Sequence, residues 1–274
     1  MNFFQETVPT DIALTLGSMA VHWYGVILAA AVLVGFIIAL YAAKKKQVRA
    51  DHLYNLFFLL TFFCIVGGRI GHVIGDVGYY LDHPGKVIAF WQGGLAFHGV
   101  VLAGLLTAIV YARVKRIRFW VITDCIVLGL PLMQAIGRWG NYFNQELYGP
   151  PTNLPWAIMI DSAHRVPGYG TSTLFHPLFL YESLLMLIIF GILFSVFRSQ
   201  RLTAGRLTLL YFILWAAVRF MLDFLRIGML EIGPLLLTQW ISMALLIGAA
   251  GLWLRFRTAA LPDVYREHGK DPEE

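Results

Sequence analysis

From Ile12 to Ala43 the chain carries no lysine, arginine, aspartate or glutamate. A helix of about 20 predominantly apolar residues crosses the roughly 30 Å hydrocarbon core of a bilayer. In that core every backbone polar group must be satisfied internally, which favours a helix. This stretch therefore predicts a membrane-spanning helix near residues 19–42. Six more charge-poor stretches lie near 53–77, 94–112, 119–137, 177–197, 207–227 and 235–254. Composition agrees, because 58% of the 274 residues are hydrophobic and only 14% are charged. A soluble domain carries about 25% charged residues. The expected fold is an all-α polytopic membrane protein, one transmembrane domain over residues 1–274 with seven spans. An ordinary cytosolic enzyme, a disordered chain and a disulfide scaffold are excluded.

The basic residues fix the expected orientation. The connections after spans one, three and five hold Lys44, Lys45, Lys46 and Arg49; Arg113, Lys115, Arg116 and Arg118; and Arg198, Arg201 and Arg206. The C-terminal tail adds Arg255, Arg257, Arg266 and Lys270, so 15 of the 21 basic residues fall on one side. The other side has Lys86, Arg138, Arg165 and Arg226, and Arg69 and Arg219 lie within spans. Lys and Arg flank the cytoplasmic ends of spans. The N-terminus is therefore expected outside and the C-terminus inside. The first nineteen residues hold no basic residue, so span one does not read as a cleavable signal peptide. The net charge of +5 is an orientation signal, and nucleic-acid binding is not expected. Cys64 and Cys125 lie in apolar runs and read as packing residues. An outer head is expected over about 138–176, with weak strand signals near Pro155–Ile160.

Ionisable groups inside a bilayer are costly and mark functional sites. The candidates are Arg69, His72, Asp76, His98, Asp124, Arg138, Glu182, Arg219, Asp223 and Arg226. Most share the depth of the outer leaflet. Arg219 is about 12 residues up span six, roughly 18 Å from its inner end at 1.5 Å per residue. Tyr24, His98, Arg138, His176 and Glu182 lie near outer span ends, whereas Asp124 lies near an inner one. Arg219, Asp223 and Arg226 share a helix face, and Arg69, His72 and Asp76 repeat that arrangement. Ion pairing alone accounts for any one of these groups. Several arginines with fewer carboxylates at one depth favour an anionic ligand, and a phospholipid phosphate is the anion found there.

The densest polar segment is Gly137-Arg138-Trp139-Gly140-Asn141-Tyr142-Phe143-Asn144-Gln145-Glu146-Leu147-Tyr148-Gly149. It combines a cation, amides, a carboxylate and glycines at a span end. Any single asparagine there could simply cap a turn. A second segment, Gly93-Gly94-Leu95-Ala96-Phe97-His98-Gly99, sets a histidine between glycines. A lone helical histidine is usually a packing residue, but one beside glycines is open to a ligand and can act as a base near neutral pH. Haem ligation would need histidines paired across facing helices, which sequence does not establish.

Read together, these segments resemble the prolipoprotein diacylglyceryl transferase family. The resemblance extends over nearly the whole chain. It takes in His22-Trp23-Tyr24-Gly25, Gly67-Gly68-Arg69, Gly93 to Gly99, the Gly137–Gly149 signature, His176-Pro177 with Tyr181-Glu182, and Arg219 to Arg226. It implies a multi-pass protein of the bacterial plasma (inner) membrane. The implied reaction moves the diacylglyceryl group of phosphatidylglycerol to the lipobox cysteine of a prolipoprotein signal peptide, forming a thioether and releasing glycerol 1-phosphate.

The family's motif positions fall on Tyr24, His98, Arg138, Asn141, Glu146, Gly149 and Arg219. One departure is Asp223, where the family usually carries glutamate; the charge is kept on a side chain one methylene shorter. The implied roles give thiol deprotonation to His98 as base or orienting group. Arg138 and Arg219 take the phosphate. Tyr24, Asn141, Glu146, Gly149 and Asp223 line the substrate, with Glu146 holding Arg138 or the glycerol hydroxyls. No metal and no cofactor are expected, and membrane lipids are the surroundings. The residues by themselves also fit a transporter or channel for an organic anion, or a lipid-binding scaffold. Inverted repeats, which would favour transport, are not evident.

Overall fold

The computed structural model describes residues 3–17, 19–90, 93–199 and 203–256. Nine α-helices and three short two-stranded sheets account for the regular structure among them. In chain order they are α1 (Phe3–Glu6), β1 (Ile12–Leu16), β2 (Met19–His22), α2 (Trp23–Lys45), α3 (Ala50–Gly75), α4 (Val77–Asp82), α5 (Phe97–Val114) and α6 (Phe119–Phe143). There follow β3 (Ile158–Met159), β4 (Leu174–Phe175), α7 (Leu178–Ser199), α8 (Arg206–Leu222), β5 (Glu231–Ile232), β6 (Leu235–Leu236) and α9 (Leu237–Phe256).

Six of these helices are long and apolar enough to cross a membrane: α2, α3, α6, α7, α8 with the turn that follows it, and α9. α5, at the place of the expected third span, is a shorter apolar helix. Large apolar side chains stand exposed along the helices, such as Phe58 and Phe62 on α3, Leu102, Leu105 and Leu106 on α5, and Leu184, Leu187 and Ile188 on α7. Apolar faces of this extent are stable in lipid and not in water.

Several expected boundaries shift, and four of these shifts bear on the site or the span ends. Residues 19–22 are not helical. They form β2, paired antiparallel with β1 around Gly17 at φ +61°, and the Trp23 N–H then donates to Asp11 O at 2.8 Å where α2 begins. α3 stops at Asp76, whose φ of −139° breaks the helix before α4. α6 runs six residues beyond the expected end at 137, so Arg138 and Asn141 sit on its last turns and not in the head. α8 gives way to a 3-10 turn, Asp223–Leu225, ahead of Arg226.

The chain divides into two compact units. The first gathers the described residues of Met1–Ile38 and Ile126–Pro262. Here α7 packs on α8 and α8 on α9. Past α6 the chain folds over a small core of Tyr142, Tyr148, Ile158, Ile160, Phe175 and Phe179. β3 lies where the weak strand signal fell, and it pairs Ile158 with Phe175 and Met159 with Leu174 of β4, which lies outside that signal. Tyr148 ties this segment together, donating to His164 O at 2.8 Å and accepting from the Val166 N–H at 2.6 Å. Burial pushes its phenol pKa up, so it stays a neutral donor.

The second unit holds the described residues of Ala39–Cys125. Its frame is α3 packed on α5. Gly67 and Gly71 of α3 meet Gly99 and Ala103 of α5, and these small residues let the two backbones approach closely, as in membrane helix pairs. Lys46 Nζ lies 3.7 Å from the buried Asp124 carboxylate. This settles the one acidic group expected near an inner span end as an ion-paired residue.

Candidate active site

The site assembles in the first unit, where α6, α7 and α8 each contribute charge. Arg138 projects from the end of α6. Its Nη2 donates to Glu182 Oε1 of α7 at 2.6 Å, and its Nη1 donates to Asn141 Oδ1 at 3.2 Å. Arg219 of α8 donates from Nη1 to the same Oε1 at 3.4 Å. Arg226 Nη2 lies 3.6 Å from the other oxygen, Oε2. One carboxylate therefore gathers three guanidiniums from two other segments. Asp223 completes the cluster, with Oδ1 3.4 Å from Arg219 Nε and 3.1 Å from Arg226 Nε.

Three arginines and two carboxylates leave one net positive charge in a place nearly closed to solvent. The Glu182 and Arg226 side chains are each 7% exposed and Asp223 is 0% exposed. Arg138, at 22%, is the most open. In such surroundings charge interactions are far stronger than in water. An unbalanced buried cation is costly unless an anion completes it. The arrangement suits a ligand with negatively charged oxygens near Arg138 and Arg219.

A network of amides continues from Arg138. Asn141, itself buried, donates from Nδ2 to Glu146 Oε1 at 2.8 Å, and Asn144 Nδ2 lies 3.4 Å from that oxygen. Glu146 thus holds two amides, while Arg138 takes Glu182 as its carboxylate; of the two tasks expected of Glu146, the structure gives the arginine to another residue. The expected shared face of Arg219, Asp223 and Arg226 holds in effect, although a 3-10 turn intervenes, because both arginines reach Asp223 Oδ1.

Tyr24, in the first turn of α2, packs its ring against Gly140 of α6. A Cβ at Gly140 would come within 2.7 Å of the ring. The phenol lies within electrostatic reach of Glu146 and Arg138. Gly149 donates its N–H to His176 O at 3.0 Å, and a Cβ there would meet His176 Cβ at 2.9 Å and Leu225 O at 3.0 Å. Its part is to let the end of the signature segment pass against the start of α7 and the end of α8. His176 Nδ1 pairs with the Tyr181 hydroxyl at 3.1 Å, and Trp156 Nε1 donates to that hydroxyl at 2.7 Å.

Tyr24, Arg138, Asn141, Glu146, Gly149, Arg219 and Asp223 thus all belong to the first unit, and His98 belongs to the second. His98 is exposed on the first turn of α5. Arg69, His72 and Asp76 do not repeat the ion-paired arrangement of α8. Arg69 bonds to backbone carbonyls, His72 meets the ring of Tyr80 edge-on, and Asp76 ends α3. Beside Arg226, the cluster residue that sequence reasoning left outside the site is Glu182. It stood out as an intramembrane acid, but nothing in its spacing shows that three arginines share it. Among the described residues no group of three His, Cys, Asp or Glu side chains could hold a metal ion.

Apolar helices and a buried arginine–carboxylate cluster define a multi-pass membrane protein with a polar site suited to an anion. The chain belongs to the prolipoprotein diacylglyceryl transferase family, whose sequence model, "Prolipoprotein diacylglyceryl transferase", matches residues 11–255. It is 40% identical over 268 residues to the phosphatidylglycerol–prolipoprotein diacylglyceryl transferase of Trichormus variabilis, covering 95% of each chain. The enzyme of that name from Acaryochloris marina is 37% identical over 260 residues, 94% of this chain and 95% of its own. That from Synechocystis is 35% identical over 268 residues, 95% of each.

Proposed function

We infer that this chain is a transferase of lipoprotein maturation that moves the diacylglyceryl group of phosphatidylglycerol to the lipobox cysteine of a prolipoprotein. The observation that carries the chemistry is the convergence of Arg138 and Arg219 on one oxygen of Glu182, at 2.6 and 3.4 Å. Two guanidiniums held this close present a joint cationic face to a phosphate diester.

The step is a displacement at carbon. The lipobox thiol gives up its proton, since thiolate is the nucleophile; His98 takes it, directly or through water. The thiolate sulfur forms a bond to the terminal glyceryl carbon of the diacylglyceryl group. The bond from that carbon to the phosphate oxygen breaks, and its electron pair leaves on the phosphate. Glycerol 1-phosphate departs with one more negative charge than the diester carried. Arg138 and Arg219 stabilise that growing charge, which is where a fixed cationic site contributes most. Asn141 and Tyr24 orient head-group oxygens. Glu146, already accepting from two asparagine amides, accepts from the glycerol hydroxyls. Asp223 and Gly149 shape the site, and no metal or cofactor takes part.

The same reading makes the chain one transmembrane domain with seven spans, α5 included, in the bacterial inner membrane. Basic residues in the last turns of α2 (Lys44, Lys45), α5 (Arg113), α7 (Arg198) and α9 (Arg255) support an outside N-terminus and an inside C-terminus. The test is direct. Purified protein with phosphatidylglycerol vesicles and a lipobox peptide should yield glycerol phosphate and a thioether-lipidated peptide in equal amounts. No product, with the peptide cysteine intact, refutes the reading.

A further inference from the structure

Arg69 is buried at 9% exposure, yet among the described residues no carboxylate lies within ion-pairing distance of it. Backbone carbonyls surround it instead. Nε donates to Val87 O at 2.8 Å and Nη2 to Lys86 O. Nη1 donates to Gly93 O at 2.8 Å and to Gly94 O at 3.0 Å. The ring of Tyr80 lies 5.3 Å from the guanidinium carbon. The residue before it, Gly68, accepts the Ala96 N–H at 2.8 Å. The Gly68–Arg69 pair of α3 therefore grips both ends of the connection that leads into α5, and His98 lies two residues past the last of these bonds.

A buried cation is usually matched by a carboxylate. Here its charge is balanced by carbonyl dipoles, all from the segment just ahead of α5. The planar fork is what makes this possible, because Nε and Nη2 face one pair of carbonyls while Nη1 faces the other. A lysine has a single nitrogen and cannot span them.

We propose that Arg69 is a positioning residue that acts through His98, by holding Lys86, Val87, Gly93 and Gly94 so that the first turn of α5 starts in one place. The proposal rests on the reading that His98 serves the lipobox thiol. It does not make Arg69 part of the phosphate site.

The test uses full-length protein carrying Arg69→Lys, His98→Gln or both. Arg69→Lys should lower kcat about 10- to 100-fold, since small misplacements of a reacting group have effects of that size. KM for phosphatidylglycerol should stay unchanged. Amide exchange should rise across residues 86–98 and not in α7 or α8. The double variant should be no slower than His98→Gln alone, because residues acting as a unit are not additive. Wild-type kcat in Arg69→Lys, or a double variant slower by the product of the single losses, overturns the proposal. So does a fully active His98→Gln. If Arg69→Lys does not fold, Arg69→Ala with added ethylguanidinium serves: recovery of kcat supports the proposal and no recovery overturns it. The activity reading fails separately, as a wild-type protein that makes no product.

Discussion

Arg138 of α6 and Glu182 of α7 lie 2.6 Å apart, Nη2 to Oε1, across 44 positions of sequence. This is the shortest contact of the buried cluster, and Arg219 and Arg226 are arranged around the same carboxylate. Glu182 thereby ties the three guanidiniums to one buried carboxylate.

Removing that carboxylate should therefore do more than weaken one pair. Glu182→Gln leaves Arg219 and Arg226 with Asp223 and takes from Arg138 its carboxylate in the cluster. Stripping one partner from a buried ion pair costs about 3–5 kcal/mol. The variant should unfold at clearly lower temperature in detergent and lose most of its turnover. Wild-type stability would show that Glu182 is not the organising charge.

The two arginines assigned to the phosphate should tolerate no shortening. Arg138→Ala and Arg219→Ala are each expected to abolish lipidation of a lipobox peptide. Arg138→Lys keeps the charge and loses the two-pronged donor, and kcat should fall about 100-fold, the size typical of losing one transition-state donor. Full activity in either alanine variant removes the phosphate assignment.

Asp223 tests the departure from the family's usual glutamate. It is fully enclosed between Arg219 and Arg226. Asp223→Asn removes the charge and should destabilise the protein by about 3 kcal/mol. Asp223→Glu keeps the charge and adds one methylene, an overpacking penalty of about 1–3 kcal/mol, and should remain active. The order of unfolding temperatures, wild type above Glu above Asn, is the measurement.

Gly140→Ala should act through Tyr24. The added methyl falls 2.7 Å from the tyrosine ring, so the ring must move. KM for phosphatidylglycerol is expected to rise with kcat largely spared, and Tyr24→Ala should show the same pattern without the steric clash. A normal KM in both would remove Tyr24 from head-group binding.

The nucleophile belongs to the substrate, so the protein's own thiols should be dispensable. Cys64 is half-buried and Cys125 buried, and both are free thiols. A Cys64→Ala, Cys125→Ala double variant should keep near-normal kcat, read as lipidated peptide formed per minute. Loss of activity without loss of stability would point to a protein-bound intermediate.

Much of this protein is legible along the chain, because a span is a local property. Ile12–Ala43 announces α2 by its lack of charge, and the Gly137–Gly149 signature brings Arg138, Asn141 and Glu146 together within three turns of helix and loop. Residues 19–22 misled for an equally local reason. They are apolar enough to continue a span, but their pairing with β1 depends on a partner strand that apolar content does not reveal.

The sequence by itself determined the membrane class, the approximate spans and the short list of buried ionisable residues, since each follows from how few charges the chain carries and where. The tertiary structure decided which charges meet. Glu182 is 44 positions from Arg138 and 37 from Arg219, and helix packing alone brings those three together. Arg69 looked like the arginine of another ion-paired helix face, yet it closed on four carbonyls of a connection 17 to 25 residues away. A buried guanidinium must find partners, and the partner it finds is whatever the fold places within hydrogen-bond reach.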